Sequence, residues 1–165
     1  MNIGVTGDTH NNLKNIKEIC FIFNKNKVDL VFHTGDISLP KSLLAFKELD
    51  CPMKVVLGNN DIGEKDSLIQ ASKDFQCEIN YEPYSLILAG KRITVLHHPE
   101  LINEEMVSNN DLILHGHTHR YRLEMMEACK IFNPGECAGF MKNKNQIGIV
   151  NLNNMNSCLL YTSDA

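Results

Sequence analysis

Five times along the chain a short apolar run reaches a turn and is followed by side chains able to ligate a metal ion. Ile3-Gly4-Val5 leads to Asp8 and His10, Leu30-Val31-Phe32 to Gly35-Asp36, and Val55-Val56-Leu57 to Gly58-Asn59. Ile93-Thr94-Val95-Leu96 leads to His97, and Leu112-Ile113-Leu114 to Gly116-His117 and His119. Carboxylates, an amide oxygen and imidazoles are the donors of manganese, iron, zinc or nickel, whereas a thiolate cluster or an all-oxygen cage would suit other ions. Seven such side chains exceed the roughly three plus water of a single catalytic zinc-type ion. Two ions sharing one bridging carboxylate accommodate all seven, and ions roughly 3.5–4 Å apart form the clamp used to hydrolyse phosphate esters.

Those ligands need elements that converge. An apolar run of four or five residues bounded by Gly or Asx predicts a buried strand, so each ligand set falls just past a strand end. Between them, Leu13, Ile16, Ile19, Cys20 and Phe23 recur at helical spacing, predicting a helix over 13–24 capped by Asn11 or Asn12. A second helix is expected over 39–49, with Pro40 in its first turn, and a shorter one over 66–73. Ser85–Leu88 and Arg92–Leu96 flank Ala89-Gly90-Lys91 as a hairpin whose second strand delivers His97. Further strands are expected over 121–128, 130–132, 146–152 and 157–162, with the Asn-rich stretch 143–156 supplying turns. The fold class is α/β, a two-layered mixed β-sheet sandwich flanked by helices, and residues 1–165 are expected to form a single domain.

Taken in order, Asp8-Thr9-His10, Gly35-Asp36, Gly58-Asn59-Asn60-Asp61, His97 and Gly116-His117-Thr118-His119 resemble the five motifs of the calcineurin-like metallophosphoesterases. The short chain and Asn133-Pro134-Gly135 are most similar to the small bacterial and archaeal phosphodiesterase branch. The resemblance implies that Asp8, His10 and His119 hold one ion, that Asn59, His97 and His117 hold the other, and that Asp36 bridges them. His117 and His119 are two apart, so on an extended segment they would point the same way and reach neighbouring ions. The function implied is hydrolysis of small-molecule phosphodiesters by a metal-bridging hydroxide. It calls for two divalent ions per chain, manganese foremost, with nickel, iron or zinc as alternatives. The alternatives are a phosphomonoesterase or protein phosphatase, a sensor with a single metal ion, and a catalytically weak metal-binding scaffold of the same fold. Homodimers or homotetramers are also implied by the branch.

The chain departs from the family at two places. Most members carry a His directly after the Asn that Asn59 matches, where it protonates the leaving oxygen; here Asn60 stands there, and a neutral amide is no general acid. Asn60 is thus a candidate phosphate contact, and Asp61 a brace for the loop holding Asn59. His98 occupies a position where Gly often follows the ligand, and its side chain either narrows the site or adds an imidazole. Arg120, adjoining the last motif, is a candidate phosphate contact, whereas Lys142 reads as a solvated cation. His33 and His115 lie within apolar runs and read as buried, hydrogen-bonded imidazoles that orient neighbouring ligands.

Composition narrows the remaining classes. Hydrophobic residues make up 43% and charged residues 22%, as in an ordinary soluble globule. A net charge of −4 supplies no basic stripe for nucleic acid. With no long apolar segment and six cysteines lacking any C-x-x-C pair, reduced core thiols in a cytoplasmic, membrane-free protein are expected.

Overall fold

A computed structural model of the chain describes residues 1–162. Strand β1 (Asn2–Thr6) is followed by helix α1 (Leu13–Lys25), β2 (Leu30–His33), α2 (Pro40–Ala45), β3 (Met53–Val56), α3 (Lys65–Ser72) and β4 (Cys77–Asn80). A second run comprises β5 (Tyr84–Leu88), β6 (Lys91–Val95), α4 (Glu104–Ser108), β7 (Leu112–Leu114), β8 (Arg122–Met126) and β9 (Cys129–Asn133). Strands β10 (Gln146–Asn151) and β11 (Ser157–Tyr161) then return to the first sheet.

The first sheet has the order β11-β10-β1-β2-β3-β4 and the second β5-β6-β7-β9-β8. Strands β1 to β4 run parallel, as do β6, β7 and β9, while antiparallel strands close the remaining edges. The mixed sandwich expected from the sequence is therefore the fold observed.

Period-two alternation sorts each strand between two cores. Ile3, Val5, Leu30 and Phe32 face Ile93, Val95, Leu112, Leu114 and Phe132 between the sheets. Val31 and Val55 face the other way, onto Ile16, Ile19, Phe23, Leu43, Phe46 and Leu68 of the helical layer. Helix α4 covers the outer face of the second sheet through Val107, which packs with Leu96, Ile113 and Ile131. Two parallel strand groups so arranged bring five carboxyl-terminal strand ends to one rim of the sandwich.

Asn12 caps α1, its side chain accepting the Asn15 N–H at 3.1 Å. The second helix is shorter than its apolar pattern suggested: α2 stops at Ala45 and the chain tightens into a 3-10 turn over Phe46–Glu48. Strand β4 carries no apolar run, and the sequence does not announce it; parallel pairing with β3 at the sheet edge makes it a strand. The 85–96 hairpin forms as expected, with Ala89 and Gly90 both at positive φ, as a type I′ turn demands. All six cysteines are free, but Cys158 is exposed, so it is not a core thiol.

Candidate metal centre

The turns after β1, β2, β3, β6 and β7 bring Asp8, His10, Asp36, Asn59, His97, His117 and His119 together. Asp8, His10 and His119 offer donor atoms within 4.8 Å of one another, and so do Asp8, Asp36 and His97. His10 Nε2 lies 3.3 Å from His119 Nε2 and 3.4 Å from Asp36 Oδ2. On the other side, His97 Nε2 lies 3.0 Å from Asn59 Oδ1, 3.2 Å from His117 Nδ1 and 3.5 Å from Asp36 Oδ1. Asp36 therefore faces one group with each of its oxygens.

Five of these side chains sit in left-handed backbone: Asp8 (φ 48°), His10 (39°), Asp36 (59°), His117 (70°) and His119 (58°). Each such non-glycine residue costs on the order of 1–3 kcal/mol and persists only where its surroundings hold it. Here the Asp8 N–H donates to the Gly35 carbonyl at 2.9 Å and the His10 N–H to the Asp36 carbonyl at 3.0 Å. The extended segment expected for His117 and His119 is thus not formed; the chain bends there, and the two rings enter different groups.

Glycines leave room for this crowding. A Cβ on Gly35, itself at φ 106°, would lie 2.5 Å from His97 Nδ1, and one on Gly58 would overlap the Asp36 carboxylate.

Further residues fix the orientation of these side chains. The Asp61 carboxylate is fully buried and accepts N–H groups of Asp36 and Gly58, each at 2.8 Å, and of Ser38 at 2.7 Å. The Asp61 carboxylate thus ties the Gly58 turn that precedes Asn59 to the Asp36 turn. Asn60 does not present a free amide: its backbone N–H donates to Asp36 Oδ1 at 2.9 Å and its side chain to Asp36 Oδ2 at 2.7 Å. That engagement makes it a positioning group for Asp36. The Arg120 side chain is exposed, and its described hydrogen bonds run through the backbone to Thr118.

Two carboxylates escape the sequence patterns. Buried Glu136 lies with Oε2 3.2 Å from His119 Nδ1, and Glu82 with Oε1 2.5 Å from His98 Nδ1. Glu136 directly follows Asn133-Pro134-Gly135, and a charge beside Cys137-Ala138 was a signal available in the sequence. Glu82 carries no such signal. The turn itself is tied to the last motif by Asn133, whose amide donates to the Gly116 carbonyl at 3.3 Å and to Thr118 Oγ1 at 3.2 Å.

The donors fit cations. The Thr34 carbonyl, 2.8 Å from His97 Nδ1, only accepts, so Nδ1 carries the proton and Nε2 turns a lone pair toward Asn59 Oδ1 and Asp36 Oδ1. Electron-rich atoms that converge in this way call for a positive charge between them. The same follows for Asp8: burial, then repulsion from Asp36, raises its carboxyl to about 8, and Glu136 and Asp61 add to it against the opposing His117 N–H. A divalent cation reverses that logic and keeps the carboxylate ionised. For Asp36 burial pushes upward, but hydrogen bonds from Asn60 and the nearby His97 bring it below the usual carboxylate range.

His33 is the buried imidazole expected. Its Nδ1 accepts the Gly35 N–H at 3.2 Å, so Nε2–H donates to Thr9 Oγ1 at 3.0 Å, and burial drives its pKa down to about 3. A depressed folded-state value means that unfolding binds a proton below about 6.5, so this group's contribution is complete above that pH and is lost as pH falls toward 3. We expect His33→Gln to flatten the acid limb of a stability-against-pH curve, by on the order of a few kcal/mol between pH 6.5 and 4. Chemical denaturation across that range checks this; parallel curves for variant and parent would contradict it. His115 is also buried, with burial lowering it to about 4, and its Nδ1 lies 3.0 Å from the Gly116 carbonyl.

A sandwich with parallel strand ends that gather carboxylates, an amide and imidazoles on one rim defines a metal-dependent hydrolase type of site. Residues 1–155 match the calcineurin-like phosphoesterase superfamily domain, and the chain belongs to that family. It is 31% identical over 154 residues to phosphodiesterase MJ0936 of Methanocaldococcus jannaschii, covering 91% of this chain and 92% of that protein. The solved structure of an archaeal phosphodiesterase superposes with a TM-score of 0.90 at 28% identity, over 98% of this chain and all of that one. The phosphoesterase YfcE from E. coli shares the fold at 17% identity, with a TM-score of 0.72 over 99% of this chain and 100% of its own. Zinc-complexed Vps29 from Entamoeba histolytica shares it at 16% identity and a TM-score of 0.66, over 96% and 90% of the two chains. Among the described residues no helix is long and apolar enough to cross a membrane.

Proposed function

We propose that this phosphoesterase hydrolyses small-molecule phosphodiesters and that a dinuclear centre supports the reaction. Asp8, His10 and His119 would hold one ion, Asn59, His97 and His117 the other, and Asp36 would bridge. The observation that carries this reading is the split of one carboxylate, Oδ2 3.4 Å from His10 Nε2 and Oδ1 3.5 Å from His97 Nε2. The curated phosphodiesterase at 31% identity supports a diester substrate. Manganese is the first choice of metal, and nickel, iron and zinc share the donor preferences.

Bound divalent ions supply Lewis-acid charge that stabilises the phosphoryl transition state and lowers the pKa of water. The chain's own residues set geometry. Asn60 and Asp61 hold the Asp36 turn, Thr34 fixes His97, and Glu136 fixes His119, so the donor atoms need little rearrangement when charge develops. Arg120, exposed beside the last motif, would meet a substrate phosphate from solvent. Asn60 supplies no proton, since both its N–H contacts end on Asp36 and an amide does not titrate near neutrality. Leaving groups that are stable as anions should therefore be cleaved fastest.

Elemental analysis of purified protein, paired with a screen of aryl and alkyl phosphate mono- and diesters under each metal, tests this. The expected result is two ions per chain and preferential cleavage of aryl diesters. Two ions with monoester preference would move the assignment to a phosphomonoesterase, and no turnover under any metal would favour a scaffold.

A further inference from the structure

Both groups of imidazoles at the rim lean on a carboxylate. At the first, Glu136 engages His119 Nδ1, which leaves Nε2 for the ion. At the second, Glu82 makes the same contact with a residue outside the seven-ligand set. Its Oε1 lies 2.5 Å from His98 Nδ1, while Oε2 accepts the backbone N–H groups of His97 at 2.7 Å and His98 at 2.9 Å. One carboxylate thereby fixes both the backbone and the ring of the 97–98 step.

We propose that His98 is an additional ligand of the second ion, oriented by Glu82; this rests on the dinuclear reading above. An ionised carboxylate only accepts, so His98 Nδ1 carries the proton and Nε2 the lone pair, the arrangement found wherever a carboxylate backs a metal-bound histidine. A ring nitrogen of His98 lies within 4.8 Å of those of His97 and His117, so a modest ring movement closes them to the roughly 3.4 Å that separates two nitrogens around one tetrahedral ion. The ring centroid is 4.7 Å from that of His97 and 4.6 Å from that of His117. Were His98 only a steric wall, no acid would be needed to lock its tautomer.

The two ions then differ in surroundings. The first has Asp8 and Asp36 with two imidazoles, whereas the second has three imidazoles, the Asn59 oxygen and the shared Asp36. A nitrogen-rich set prefers zinc or nickel, and an oxygen-rich set tolerates manganese better.

The test uses the full chain, stripped of metal and titrated with cobalt(II), reading both stepwise affinities against a chromophoric chelator and the visible ligand-field band. Wild type is expected to bind two ions. In His98→Ala one affinity should fall by roughly 10- to 100-fold and the band should shift, while the other affinity stays within about twofold; Glu82→Gln should weaken the same step less. His98→Gln replaces the alanine variant if that one fails to fold. Two ions in wild type with both affinities and the band unchanged in the variant would overturn the proposal alone. A wild type that binds one ion would overturn the dinuclear reading first.

Discussion

Asp36→Asn is expected to lower turnover of an aryl phosphodiester by roughly 1,000-fold or more, the scale of losing one dominant electrostatic contact in a preorganised site. The carboxylate sits between two groups, 3.4 Å from His10 Nε2 and 3.5 Å from His97 Nε2, so neutralising it removes charge from both at once. The replacement also collides with its own support. Asn60 directs two N–H donors at the two oxygens, and an amide offers only one acceptor, leaving a donor unpaired. Ion content should drop below two per chain. A variant that keeps both ions and near-parental turnover would refute the bridge.

Loading of both ions is expected to raise the melting temperature by roughly 10–20 °C. Ions held at 100 times their dissociation constant contribute about 2.7 kcal/mol each. For a chain of this size each kcal/mol moves the midpoint by roughly 2–4 °C. The physical source is crowding of acids: Asp8, Asp36, Asp61 and Glu136 are all buried near the rim, and burial with mutual repulsion lifts Asp8 to about 8. Scanning calorimetry of chelated and manganese-loaded samples checks this. Equal midpoints would mean that these carboxylates find no cation in the folded chain.

Much of the candidate site is legible in the sequence because each of its side chains follows an apolar run bounded by a turn, the pattern of a buried strand. Leu30-Val31-Phe32 before Gly35-Asp36 is enough to place Asp36 at a strand end, and the parallel pairing of β1, β2 and β3 does the rest. What stayed hidden was set by tertiary contact. Glu82 meets the His97 amide 15 residues away and the Thr34 carbonyl meets His97 across 63, with no local pattern to mark either, and although Glu136 stands beside a turn and an apolar pair, nothing local points it at His119, 17 residues away. The bend at His117 to His119 was also invisible, since spacing alone suggested an extended segment whereas both residues adopt left-handed backbone. Strand β4 lacked a hydrophobic signature because it lies at an edge, where pairing replaces burial.

The proposed ligands divide unevenly between the layers. Asp8, His10, Asp36 and Asn59 hang from the first sheet, and His97, His117 and His119 from the second. On the dinuclear reading neither layer alone would supply every donor, so cation uptake would also act as a rivet across the seam and report whether the two halves of the sandwich have docked in register. A slip between the sheets, caused by a substitution at Phe132 or Leu114 deep in the shared core, would be felt as a change in ion affinity without touching any ligand.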